Sequence, residues 1–192
     1  MQAQTAVVSA PSLTARRALV VALGAALVAI AAQIAIPLPG TPVPMTLQPL
    51  AVLLVGAWLG AGLGAASLIL YLALGAAGLP VFTPYGLPGI ARLLGPTGGY
   101  LLAYPVAAFA VGRLVGATDP ARKPGVARLC VAVFTGLVLI HLGGLAQLLI
   151  LTGSASGALR LGTLPFVIGD LVKVVIAVLV LKPTVSPLRA RL

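Results

Sequence analysis

The chain has 192 residues, 60% of them hydrophobic and 7% charged, and its mean hydropathy is +1.18. A soluble domain carries about a quarter charged residues, and the apolar runs here are long enough to cross a bilayer repeatedly, which excludes a water-soluble core. Twelve Lys and Arg against two acids give a net charge of +10; most of this basic charge sits in short breaks between apolar runs, where it orients a membrane protein, so no nucleic-acid partner is expected.

Taken in chain order, residues 1–15 read as a polar to mixed, disordered N-terminal segment. It lacks a basic start and leads into an apolar run, so no cleaved signal peptide is expected. The membrane domain is assigned to 16–182, with a first span from about Ala18 to Ile36. The next stretch, Pro37 to Pro49, holds five prolines in 13 residues and reads as an extended connector. From Pro49 to Leu79 the chain is almost wholly apolar. One helix of that length would rise about 46 Å, well beyond a hydrocarbon core of about 30 Å. Gly60, Gly62 and Gly64 suggest a tight break, giving two short spans near 49–60 and 63–78.

An irregular, charge-poor segment follows over 78–99, then a fourth span near 100–115 and a basic loop around Asp119 to Pro124. The fifth span covers about 126–151, a small-residue loop runs over 152–163, and the sixth span covers about 164–182 before a basic tail at 183–192. The expectation is therefore an all-α integral membrane protein, six transmembrane helices in one compact bundle. Six spans place nine basic residues (Arg16, Arg17, Arg113, Arg122, Lys123, Arg128, Lys182, Arg189 and Arg191) on the side of both termini, with Arg92 and Arg160 opposite. By the positive-inside rule the termini are cytoplasmic.

The two irregular loops are apolar and rich in Pro and Gly, which suits a lid folded over the bundle. The other reading rests them in the headgroup region, with Phe82, Tyr85 and Tyr100 as interfacial aromatics. Small residues at four-residue spacing, Ala18, Ala22 and Ala26 in the first span and Gly56, Gly60 and Gly64 further on, allow close helix approach. Cys130 has no partner in the chain and reads as packing.

The sharpest feature is Asp170 with Lys173, inside the last span. At about 8 and 12 Å below the span's start, both are too deep to reach water easily, and their spacing puts them on one helical face. A charged pair at that depth marks a site by default, the bland alternative being a pair that only locks packing. Three spans begin on the side of Arg92, so their positive helix ends converge there with Arg92 and Lys173. The net local charge of +1 suits a monoanion that also offers N–H donors to Asp170. Gln48 either caps the second span or reads a ligand carbonyl, and Thr46 beside it reads as a cap. His141 and Gln147 point to different faces, and His141 reads as bonded within the bundle. Metal-ligand clusters, phosphate loops and a nucleophile elbow are all missing from the sequence, so no cofactor or metal is expected and any active transport must draw its energy from elsewhere.

Four stretches taken together resemble a known family: Thr46-Leu-Gln48 after the Pro-rich loop, Leu70 to Phe82, Leu94 to Leu101 with its Gly-Pro-Thr-Gly-Gly, and Gly169 to Lys173. They are similar to the biotin-specific substrate-binding (S) components of energy-coupling factor (ECF) importers, the BioY family. The resemblance implies capture of biotin near the outer face of a bacterial cytoplasmic membrane, under a lid from the first loop. It also implies a transmembrane coupling subunit and two cytoplasmic ATPases as partners, besides membrane lipid. Asp170 would take the ureido N–H groups, Lys173 would bind the valerate carboxylate or order Asp170, and Arg92 would be a carboxylate partner. The family pattern often has an asparagine after Pro-Val-Phe; this chain has none, so Gln48, Tyr85 or backbone N–H groups are left to read the ureido carbonyl. The alanine ridge of Ala18, Ala22 and Ala26 resembles the surface offered to the coupling subunit. Two alternatives stay open: capture of another small carboxylate-bearing vitamin, and a membrane-embedded enzyme using Asp170 and His141 for proton transfer.

Overall fold

A computed structural model describes residues 13–116 and 123–191. Residues 1–12 of the expected N-terminal segment, and the basic-loop residues Asp119 and Arg122, lie outside the described residues. Helix α1 (Leu13–Gln33) starts three residues before the arginine pair, since Leu-Thr-Ala offers no helix breaker. A two-stranded antiparallel ribbon follows, β1 (Ala35–Ile36) against β2 (Met45–Thr46), so the Pro-rich connector is a small hairpin rather than a plain extended stretch. Its tip turns at Gly40, whose positive φ of 82° suits glycine.

Helix α2 (Gln48–Ala76) is not a straight rod. Gly60 has φ 79° and ψ 177°, outside helical values. Gln48 Nε2 stands 2.6 Å from the Tyr71 hydroxyl, 23 residues along, whereas a straight helix would separate them by about 35 Å. The chain therefore folds back at Gly60, and its arms, 48–59 and 61–76, lie side by side. A Cβ at Gly64 would stand 3.0 Å from Gly56 Cα, so the glycine ridge packs on itself.

The rest is α3 (Ile90–Leu94), α4 (Gly98–Val115), α5 (Val126–Thr152), α6 (Ala155–Gly162), a 3₁₀ turn (Leu164–Phe166) and α7 (Val167–Arg189). Two of these correct the sequence reading. The small-residue loop contains α6, started by Ser154, whose side chain accepts from Gly157 N–H at 3.2 Å. The basic tail is not separate: α7 continues through Pro183 and Pro187, and Arg189 at its far end donates to carbonyls of other helices. Among the described residues five stretches are long and apolar enough to cross a membrane, the last running from Ala155 to Arg189.

Two apolar clusters fill the bundle. One gathers Val28, Val52, Leu68, Tyr71 and Tyr104 at the end where α2, α4 and α7 begin. The other gathers Leu53, Val111, Leu129, Val133 and Leu181 toward the far end. Glycines set the helix spacing: Gly56 faces the Ala108 backbone, where an added Cβ would meet the carbonyl at 2.5 Å. Large apolar side chains such as Ile150, Ile168 and Leu179 face outward, as a lipid-contacting surface requires.

Candidate functional site

The end of the bundle where α7 begins buries a group of charged side chains. Asp170 and Lys173 project from the first turns of α7 and are each only 5% exposed. Lys173 Nζ donates to Asp170 Oδ1 at 2.9 Å. The other oxygen, Oδ2, lies 2.7 Å from His141 Nε2, brought from the middle of α5. Thr163 Oγ1 stands 3.4 Å from His141 Nδ1, and the Tyr100 ring packs edge-on against the imidazole at 6.0 Å and 80°. Tyr100 is itself held by its hydroxyl, which donates to the Gly162 carbonyl at 2.6 Å.

Asp170, Lys173, His141 and Tyr100 line a cavity that opens at this end of the bundle. Val43 and Thr46 reach it from the ribbon loop, Thr83 and Arg92 from the loop before α4, and Phe166 from the 3₁₀ turn. Both irregular loops thus fold over the bundle. Phe82 and Tyr100 are buried, so only Tyr85 of the three aromatics is exposed. Thr41 Oγ1 donates to the Leu161 carbonyl at 2.6 Å, tying the ribbon loop to α6. Gln33 Nε2 donates to the Phe82 carbonyl at 3.1 Å and ties the end of α1 to the loop before α4. Phe82 packs edge-on against Tyr71 at 5.4 Å.

Arg92 is 7% exposed and is no solvated surface residue. Its Nε donates to the Leu87 carbonyl at 2.9 Å, and its terminal nitrogens donate to Thr83 Oγ1 at 3.0 Å and to the Thr83 carbonyl at 2.9 Å. Three of its five N–H groups are spent on its own loop, and the residue also lines the cavity. Burial lowers its pKa from the ordinary value, with Tyr71 opposing; a guanidinium remains a cation at neutral pH. Gln147 holds the same loop from α5, donating to the Leu93 and Gly95 carbonyls at 3.0 and 2.8 Å.

Asp170, Lys173, Arg92 and Gln48 therefore converge on one cavity. Gln48 is 3% exposed and donates to Tyr71, while Thr46 Oγ1 accepts from the Gln48 N–H at 3.2 Å; the N-cap position itself is Leu47, so neither Thr46 nor Gln48 is the side-chain cap. Tyr85 does not join them: it is 47% exposed and outside the cavity lining, because the turn around Gly86 directs it away. Thr83, two residues earlier, occupies that wall instead. His141 joins the site, where the leading sequence reading leaves it bonded within the bundle and only the enzyme alternative pairs it with Asp170. Its contact with Asp170 depends on the relative register of α5 and α7, which local spacing does not encode. Ala18, Ala22 and Ala26 lie on the exposed side of α1.

A sequence profile of the BioY family matches residues 3–190. The chain belongs to the BioY family. Its relatives include a probable biotin transporter BioY of Pyrococcus horikoshii, 40% identical over 166 residues, covering 86% of this chain and 94% of the relative. The biotin transporter BioY of Thermotoga maritima is 37% identical over 155 residues, covering 81% and 87%. Among solved structures, an S-component for biotin from an ECF-type ABC transporter superposes with a TM-score of 0.80 at 26% identity, covering 95% of each chain. With BioY relatives named as transporters and with its apolar helices, the chain is a multi-pass membrane protein and a transport component.

Proposed function

We propose that this BioY chain captures biotin as the substrate-binding subunit of an energy-coupling factor importer in the cytoplasmic membrane of its cell. The observation that carries the reading is a buried acid, amine and guanidinium around a single small-molecule cavity in an otherwise apolar bundle. Asp170 accepts from the ureido N–H groups. Lys173 orders Asp170, and Arg92 brings its guanidinium to the valerate carboxylate. With Arg92 and Lys173 against Asp170 the cavity holds a net +1, which balances one carboxylate. The aromatic and aliphatic walls, Phe82, Tyr104 and Phe166 among them, suit the rest of the ligand.

Counting the arms of α2 separately, the chain crosses the membrane six times with both termini cytoplasmic and the cavity near the outer face. The exposed alanines Ala18, Ala22 and Ala26 form the docking ridge for a transmembrane coupling subunit, which two cytoplasmic ATPases drive. The chain itself contributes no ATPase site. Saturable binding of tritiated biotin to the purified chain tests the reading, with competition by other carboxylate-bearing vitamins. Displacement by biotin alone is expected; equal displacement by another vitamin would transfer the role to that ligand. Ala22→Leu and Ala26→Leu should abolish co-purification with the coupling subunit and leave biotin binding intact. Co-purification that survives both changes would remove α1 as the docking face.

A further inference from the structure

His141 is the residue of the cavity that the proposed function leaves without a part. It is the single histidine of the chain, and it reaches the site from α5 while its partner Asp170 comes from α7. An ionised carboxylate only accepts, so the imidazole nitrogen 2.7 Å from Oδ2 carries a hydrogen whatever the charge of the ring. In the neutral ring Nδ1 is then a bare acceptor, and Thr163 Oγ1 at 3.4 Å is the donor that faces it. The edge of Tyr100 against the ring, itself pinned to Gly162, restricts how the imidazole can turn.

The consequence lies on Asp170. A carboxylate offers about four acceptor directions, two on each oxygen. His141 fills one on Oδ2 and Lys173 fills one on Oδ1. One direction on each oxygen is left, and Asp170 lines the cavity. With only one oxygen restrained, the carboxylate could rotate about its last bond and offer a single acceptor. With both restrained it presents two acceptors in a fixed plane, the arrangement that matches two N–H groups side by side.

We propose that His141, oriented by Thr163, is a positioning residue that fixes Asp170 as a two-pronged acceptor and so selects ligands with paired N–H donors, such as a cyclic urea, over ligands with one. This rests on the reading of the cavity as the ligand site. It assigns specificity to a side chain that need not touch the ligand, acting through Asp170.

Two measurements test it. In ¹⁵N-imidazole spectra of the whole wild-type chain in nanodiscs, the single histidine is expected to carry its proton on Nε2. A ring protonated on Nδ1 alone would overturn the inference, and this holds whether or not biotin binds. In binding, His141→Ala is expected to weaken biotin by about tenfold or more, and His141→Gln, which keeps an N–H donor, to stay within about threefold of wild type. Against a biotin methylated on one ureido nitrogen, the His141→Ala effect should fall below about threefold, because only one prong is in use. Unchanged biotin affinity in His141→Ala, or equal losses in the Ala and Gln variants, would overturn the inference while leaving biotin capture standing. Absence of biotin binding by wild type would instead overturn the proposed function, and the imidazole spectrum would then judge the positioning of Asp170 by itself.

Discussion

Each end of the bundle ties down an arginine, Arg92 buried and Arg189 half-buried, and the two are used in opposite ways. Arg189, at the far end of α7, donates to the carbonyls of Ala57, Gly112 and Gly116, joining the first arm of α2, the end of α4 and the loop after it. Trp58 Nε1 adds a bond to Thr184 Oγ1 at 2.9 Å, and Arg128 Nε caps α4 through the Leu114 carbonyl at 2.7 Å. These cations sit on the negative ends of helices, where the backbone supplies the partner. Arg92, at the cavity end, bonds only to residues 83–87 of its own loop. It staples nothing distant together and keeps N–H groups unspent. The far end also lacks a carboxylate among the described residues, whereas the cavity end holds Asp170. One end uses charge to close the fold, while the other lines a cavity with it.

This contrast predicts where substitutions will be felt. The largest effect is expected from Lys173→Met, which leaves the Asp170 carboxylate buried with His141 alone; breaking one side of a buried ion pair costs about 3–5 kcal/mol. Thermal unfolding in detergent should show the loss, and biotin affinity should fall by at least about a hundredfold, or roughly 2.7 kcal/mol. Retained affinity would mean that the pair only locks packing. Next is Arg189→Met, expected to lower stability by about 2 kcal/mol through orphaned helix carbonyls, with biotin affinity of the folded fraction unchanged. A matching loss of affinity would erase the distinction between the two ends.

A smaller effect is expected at the turn of α2. Gly60→Ala meets no neighbour within 4 Å, so its cost is the strain of a backbone conformation that essentially only glycine adopts, about 1–2 kcal/mol of stability. A neutral result would show that the arms tolerate another path through the turn. The smallest effect belongs to Arg92→Lys, which keeps the charge but not the fork: about a tenfold weaker hold on biotin, or roughly 1.4 kcal/mol, and no change for biotin amide, which has no carboxylate. Equal weakening of acid and amide would assign Arg92 to its loop rather than to the ligand.

Much of this arrangement is readable before any coordinates. A break among Gly60, Gly62 and Gly64 follows from the length of the apolar run, and the chain does reverse at Gly60. Asp170 and Lys173 stand out because charge is so scarce in the sequence, and the structure brings them to a cavity with Arg92 and Gln48. What was not readable depends on tertiary register or on composition that points the wrong way. The approach of His141 to Asp170 joins residues 29 apart on different helices. Helix α6 is written in Ser, Ala and Gly, which read as loop, yet a Ser154 cap starts it. Residues 183–192 read as a basic tail beyond the last span, but α7 continues through Pro183 and Pro187 to Arg189, whose bonds to α2 and α4 hold the final turns. Tyr85 was placed by its neighbours in sequence, and a single glycine turn carries it out of the site.

The central claim is that Asp170 is kept charged inside the bundle to receive a ligand. Equilibrium titration of biotin into purified wild-type chain and into Asp170→Asn, each checked for an intact fold by thermal unfolding, tests it most directly. The expected result is saturable one-to-one binding by wild type and at least about a hundredfold loss in a folded Asp170→Asn chain. Equal affinities in the two proteins would contradict the account.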